Sequence, residues 1–324
     1  MEKFYTSEIE NEQVSKMSLD DRMDYLSFIK EYLIDYRETL HLPSRSSFGV
    51  EIEYQGVPKE IVDEYIEGFG SFASHEEGDF EIGGEVVSRP LIDNFSNWYD
   101  LKEILIYMSK LDGIYTNGRA GAHVHMGAQM LKSEDAFKRF LLLYAVYENI
   151  IYRFAYMDRN KARDNISTYA EPMRVELSRD YESLENCKSL KELKKEFDRY
   201  HGLNFKNIRS FKNFGDRNTI EFRMANGTLD PVLWQNTINL YAKLLLASHT
   251  DMDIDRLDYL LQRKKLANAS YSEYGSLRVD EAFDFADIVF NNMLDKTNFL
   301  RQYIKDGNNS VDTCESKVQK FTRY

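Results

Sequence analysis

The sequence predicts an α+β protein in which helices cover one face of a β-sheet and the opposite face carries ionisable groups. Two observations lead to this. Four strand-like segments alternate apolar with polar or charged residues, the period-two signature of strands with two unlike faces. Around them lie stretches with apolar residues at helical spacing. The chain has 324 residues, 43% hydrophobic and 30% charged, a composition that suits a folded globular protein.

The helical stretches come first. Residues 14–40 are charged and place Met23, Leu26, Ile29, Leu33 and Tyr36 on one stripe. Residues 96–112 repeat the pattern with Trp98, Leu101, Leu105 and Met108. Residues 133–156 form a long helix with Ser133 as cap and Phe137, Phe140, Tyr144, Tyr147, Ile151 and Phe154 on one face. Residues 231–248 carry the strongest signals, with Asp230 as N-cap and Pro231 in the first turn. The segment after residue 250 is charged and helical in character.

In "FGVEIEY" (48–54), Phe48, Val50, Ile52 and Tyr54 alternate with Gly49, Glu51 and Glu53. In "EIGGEVV" (81–87), Ile82 and Val86 alternate with Glu81, Gly83 and Glu85. In "GAHVHMG" (121–127), Ala122, Val124 and Met126 alternate with His123 and His125. In "TIEFRM" (219–224), Ile220, Phe222 and Met224 alternate with Glu221 and Arg223. If the four share a sheet, one face collects Glu51, Glu53, Glu85, Glu221, His123, His125 and Arg223. An ordinary solvated face would carry Lys, Thr and Ser; these strands carry Glu and His flanked by Gly.

Net charge is −12, so the general surface repels phosphate backbones and direct nucleic-acid binding is not expected. Two cysteines, Cys187 and Cys314, give no disulfide scaffold and suit a reducing cytoplasm. The opening "MEKFYTSEIENEQ" is acidic and polar, unlike a signal peptide. No apolar run approaches the roughly 20 residues of a membrane helix. The expectation is a cytoplasmic protein with no membrane partner.

The chemistry of the shared face follows from charge. Two carboxylates at i and i+2 on a strand lie about 7 Å apart. Their repulsion is on the order of 1–2 kcal/mol at intermediate dielectric, and further carboxylates add to it. Such a cluster protonates or binds a cation. Oxygen-rich sets suit Mg²⁺ or Mn²⁺, the ions that serve nucleotide phosphates. His123 and His125 read either as a satisfied hydrogen-bonded pair or as a ligand with a neighbour behind it. Zinc would need about three histidines, or histidine with a carboxylate or cysteine, in compact array. Glu221 and Arg223 read either as a plain ion pair or as a metal ligand beside a phosphate clamp.

The ordered set "FGVEIEY", "GGEVVSRPL", "GAHVHMG" and "NTIEFRMANGTLDP" resembles the amidoligase family. That family belongs to the carboxylate–amine ligase superfamily of glutamine synthetase and glutamate–cysteine ligase. The resemblance spans roughly residues 45–250. It implies a curved antiparallel sheet of the glutamine-synthetase catalytic-domain type, backed by helices, whose concave face holds ATP and Mg²⁺ or Mn²⁺. It divides the chain into an N-terminal helical segment (1–44), a catalytic domain (45–250) and a C-terminal helical extension packed on that domain (251–324). By the same resemblance Glu51, Glu53, Glu85, His123 and Glu221 are metal ligands, with Glu53 also catalytic. His125 stands behind the metal or against substrate. Arg223 holds phosphate or acyl phosphate. Arg159 and Arg163, in "DRNKARDNISTYAEP", match an Arg/Asn/Tyr-rich loop and are assigned to phosphate or carboxylate. There are two departures. Ser88-Arg89-Pro90 stands where the family reads S-P-P or S-P-x. Thr219 stands where an arginine is usual, with Arg217 as the substitute.

The implied reaction is ATP-dependent joining of a small-molecule or peptide carboxylate to an amine through an acyl phosphate. Glu77, Asp79 and Glu81 are candidates for a base or belong to a surface hairpin. The rival readings are a phosphotransferase of guanidino-kinase type and a metal-dependent hydrolase using the H-x-H pair. The remaining histidines, His41, His75, His201 and His249, lack strand-like metal contexts, which counts against the hydrolase. The C-terminal segment is compatible with an oligomer contact.

Overall fold

The computed structural model describes residues 12–116, 118–174, 177, 201–215, 217–250, 252–266 and 274–305. Cys187, Cys314, the first eleven residues and residues 306–324 lie outside the described residues.

The strands are β1 (Ser47–Gln55), β2 (Phe72–His75), β3 (Gly83–Ser88), β4 (Leu91–Ile92), β5 (Gly121–Gly127), β6 (Leu203–Asn204) and β7 (Thr219–Asn226). They form one open, curled sheet in the order β2-β3-β1-β5-β7-β6, with β4 paired to β1. Every ladder is antiparallel. The helices are α1 (Leu19–Glu31), α2 (Lys59–Ile66), α3 (Phe95–Ser109), α4 (Glu134–Ala155), α5 (Ile166–Tyr169), α6 (Pro231–Ala247), α7 (Ile254–Leu266), α8 (Val279–Val289) and α9 (Met293–Ile304). The architecture is α+β. No helix among the described residues is long and apolar enough to cross a membrane.

The predicted alternation sets which face is buried. Phe48 stacks on Trp98 of α3, and Phe222 stacks on Tyr241 of α6 and meets Phe140 of α4 edge-on. Val50, Ile52, Val124, Met126 and Ile220 fill the layer between. Between Ala122 and Val124 the β5–β7 register slips: Ala122 faces Ala225 but Val124 faces Phe222. The extra residue lies in β7, a bulge that lets the neighbours Met224 and Ala225 both be buried.

Helix ends follow their caps. The Ser133 hydroxyl accepts from Ala136 N at the start of α4. The Asp230 carboxylate accepts from Val232 N at 2.8 Å, with Pro231 in the first turn of α6. Two expectations need correction. The first helix spans Leu19–Glu31 rather than 14–40, because the backbone turns extended at Tyr32. Tyr25, Phe28 and Ile29 face inward while Met23 and Leu33 are exposed. The third strand begins at Gly83, so Ile82 lies before it and is exposed instead of joining Val86 in the core.

Candidate metal and substrate site

Glu51 and Glu53 from β1, Glu85 from β3, His123 and His125 from β5, and Glu221 and Arg223 from β7 lie on the face of the sheet opposite the helices. Register brings them together: Glu51 opposes His123, Glu53 opposes Glu85, and His125 opposes Glu221. Antiparallel neighbours facing one another interact directly.

Glu51 is the hub. Its Oε2 lies 3.0 Å from His123 Nδ1 and its Oε1 2.7 Å from His125 Nε2. Burial alone would raise its pKa, but the hydrogen bonds and charge of the two imidazoles prevail and hold it well below the ordinary carboxylate range. His125 is pinned on its other side, 3.2 Å from Thr219 Oγ1. Burial works against its protonated form, yet the bond to Glu51 raises its pKa. Glu221 accepts from Asn204 Nδ2 at 2.7 Å and from the Arg223 guanidinium. Glu53 accepts from Gly121 N at 2.6 Å.

Two features show that this face is not satisfied by its own residues. Glu85 has its pKa pushed up to about 8, by burial first and then by the charges of Glu51, Glu53 and Glu77. His123 is only 5% exposed, yet its Nε2, 3.5 Å from Glu53 Oε1, has no hydrogen-bond partner. A buried polar atom without a partner is costly unless something binds there. Donor atoms of Glu51, His125 and Glu221 lie within 4.8 Å of one another. The carboxylate oxygens suit Mg²⁺ or Mn²⁺ and the imidazole nitrogens are donors that Zn²⁺ also takes, so the residues fit a divalent cation without choosing among these. The expected division of roles, His123 on the metal and His125 behind it, is not imposed by this geometry: both rings bond Glu51, and it is His125 that groups with Glu221.

A cavity of about 200 Å³ opens over this face, lined by five carboxylates, Glu51, Glu53, Glu77, Asp79 and Glu85, and by three arginines, Arg119, Arg163 and Arg223. Arg163 is buried. It donates to Ala225 O and Arg223 O, and its Nε has no partner. It reaches the cavity only because residue 121 is glycine: a Cβ there would lie 2.0 Å from its NH1. Arg223 also donates to Tyr169 O, tying β7 to α5.

Of the expected residues, His125 and Glu221 belong to the cluster without lining the cavity, and two more stand apart from both. Arg159 is spent on the carbonyls of Thr116 and Gly227, so it stitches loops together. Arg217 is exposed in the turn before β7 and lines no part of the cavity. Conversely, Arg119, Asn165 and Tyr169 line it, and Asn204 orients Glu221. The position of Arg119, two residues before the H-x-H strand, was the one local signal for it.

Residues 70–245, more than half of the chain, match a family model described as "Putative amidoligase enzyme". No curated protein matches the chain. The matched range holds Glu85, His123, His125, Glu221 and Arg223. Glu51 and Glu53 lie before it, but the sheet inserts their strand between β3 and β5.

Proposed function

The chain belongs to the amidoligase family, and from that premise we propose an ATP- and Mg²⁺- or Mn²⁺-dependent ligase that joins a carboxylate to an amine. The sheet is proposed to be of the glutamine-synthetase catalytic-domain type. The observation that supports the reading best is the convergence of Glu51, Glu53, Glu85 and Glu221 on one face beside the unpartnered Nε2 of His123.

A carboxylate is a poor acyl donor because its oxygen is a poor leaving group. Transfer of the ATP γ-phosphoryl group to that oxygen gives an acyl phosphate and ADP. Attack of a neutral amine on the acyl carbon then forms the amide and expels phosphate. Glu51, Glu53, Glu85, Glu221 and His123 are proposed to hold the cation or cations, with His125 braced by Thr219 beside them. When bound, the cation supplies charge neutralisation along the phosphate oxygens. Arg223, fixed by Glu221 and the Tyr169 carbonyl, is proposed to hold the moving phosphoryl group. Arg163 and Arg119 add positive charge to the same cavity. Glu77 and Asp79, on the cavity wall, are the carboxylates proposed to take the amine proton. Catalysis here is positioning and preorganised charge, with no protein nucleophile.

The substrates are proposed to be a small-molecule or peptide carboxylate and an amine, in the cytoplasm. The test is ADP release across a panel of acids and amines with Mg²⁺ or Mn²⁺, followed by the product's mass. ADP accompanied by an amide mass supports the reading. Cleavage without nucleotide, or calorimetry showing no metal-dependent ATP binding, would sink it.

A further inference from the structure

A second cavity, about 300 Å³, lies among the helices, walled by α4, α7 and α8. No described residue of its wall lines the carboxylate cavity. Arg174, Arg263, Lys264 and Arg278 line it, with Glu281 and Asp284 as its carboxylates. These charges are not matched one to one. Glu281 is shared by Lys264 and Arg278. Asp284 is taken by Arg256 and accepts from the Tyr147 hydroxyl. Glu148, outside the wall, balances Arg174. Arg263 is exposed and in no ion pair with a described residue. Counted with Glu148 and Arg256, five cations meet three carboxylates among the described residues. In a chain of net charge −12, that local excess draws an anion.

Two of the cations are fixed by the backbone of α4. That helix leaves helical geometry at Tyr147 (φ −108°, ψ 18°). Just before the kink, Ala145 O accepts from Arg174 Nε at 2.9 Å and Val146 O from Lys264 Nζ at 2.6 Å. Arg174 is 3% exposed and donates through Nη2 to Asn149 Oδ1, while its Nη1 makes no hydrogen bond to a described residue. A buried guanidinium with an unused N–H on a cavity wall is an anchor waiting for an acceptor. Burial lowers the Lys264 pKa to about 8, against the pull of Glu281 and with the push of Arg174 and Arg278. The cavity thus disfavours the positive charge it holds. Val146, Leu260 and Tyr147 add apolar and aromatic wall.

We infer that this cavity binds a small phosphate monoester, with its phosphoryl oxygens among Arg174, Arg263, Lys264 and Arg278 and its organic body against Val146, Leu260 and Tyr147. A phosphate monoester carries about −1.5 to −2 charges at neutral pH and three strong acceptor oxygens, which matches the excess of cations. Planar guanidinium groups suit those oxygens. A monocarboxylate brings less charge and fewer oxygens. Once bound, the ester ties α7 and α8 to α4 and stabilises the helical layer by mass action. The inference is independent of the reaction proposed for the carboxylate face.

The experiment uses the full chain in EDTA, so that no cation gathers phosphate at the carboxylate face. The probes are phenyl phosphate, inorganic phosphate and benzoate, followed by calorimetry at pH 8. Arg263→Glu and Arg119→Glu each reverse one exposed arginine, the first in this cavity and the second in the carboxylate cavity. Arg278→Gln removes a charge here without reversing it. Wild type is expected to bind phenyl phosphate more tightly than phosphate or benzoate. Arg263→Glu is expected to weaken it by about tenfold or more, and Arg278→Gln in the same direction. Arg119→Glu is expected to bind it as wild type does. Binding is also expected to take up protons at pH 8, because the anion raises the Lys264 pKa, read as a heat that depends on the ionisation enthalpy of the buffer. Any one of four results overturns the site: no binding by wild type, equal binding by wild type and Arg263→Glu, loss of binding in Arg119→Glu, or phenyl phosphate held no tighter than phosphate or benzoate.

Discussion

The molecule buries charge in two ways. In the helical layer, several buried ionisable groups are matched. Glu148 is fully buried and accepts from Met173 N, Arg174 N and the Tyr274 hydroxyl, with Arg174 as counter-charge. Asp295 is shared by Arg37, Lys243 and Asn239. Lys296 is bonded to Asp287 and Glu12 O. On the sheet face, carboxylates crowd one another, one of them is held protonated near neutrality, and an imidazole nitrogen lacks a partner. A matched set serves the fold, because removing one member strands the other. An unmatched set burdens the empty fold, and that burden makes it a place for a ligand.

The largest test of this contrast is Glu148→Ala. It strands Arg174 and two backbone N–H groups, and the expected loss is about 3–5 kcal/mol of stability, read as a fall in melting temperature. A tolerated Glu148→Ala would erase the distinction. The mirror experiment is Glu53→Ala. ATP turnover should fall by about 100-fold or more, while the melting temperature of the ligand-free chain changes little. Unfolding of that variant would place Glu53 with the structural charges.

Glu85→Gln sharpens the contrast through pH. The folded-state pKa of Glu85 is raised, so its ionisation costs the ligand-free fold stability as pH climbs from the ordinary carboxylate range through about 8. The variant should therefore melt higher than wild type above pH 8 and alike below pH 4. Saturating Mg²⁺ or Mn²⁺ should abolish the difference by holding the wild-type carboxylate ionised. A gain that is the same at all pH values would point to packing rather than charge. The smallest effect belongs to Arg217→Ala. Its exposed position away from the cavity predicts stability within about 0.5 kcal/mol and unchanged turnover. A large loss of turnover would restore Arg217 to the site.

Much of this contrast was readable from residue order. Period-two alternation assigned Glu51, Glu53, His123, His125, Glu221 and Arg223 to one face because a strand's geometry leaves no choice. Asp230-Pro231 marked the start of α6 because both residues satisfy that turn chemically. Ile82 misled because alternation continues into the loop before Gly83, and pattern alone cannot locate where pairing ends. Leu33 misled because nothing in its spacing signals that the chain turns extended at Tyr32. Arg159 and Arg163 were indistinguishable in sequence. Only the fold sends one to loop carbonyls and the other past Gly121 into the cavity. Tyr169, Asn165 and Asn204 were missed because side chains reaching a site from a one-turn helix, its cap and a two-residue strand leave no periodic trace.

The strand order also bears on time. Glu51 and His123, hydrogen-bonded neighbours, are 72 residues apart in the chain, and Glu221 arrives from farther still. Contacts of such long range form slowly, because loop entropy opposes them until the whole ladder closes. The donor set therefore does not exist in any fragment that lacks β1, β5 or β7, nor in a half-made sheet. A nascent chain would offer no preassembled cation site, and binding of the proposed ion would report that β1, β5 and β7 have all found their places.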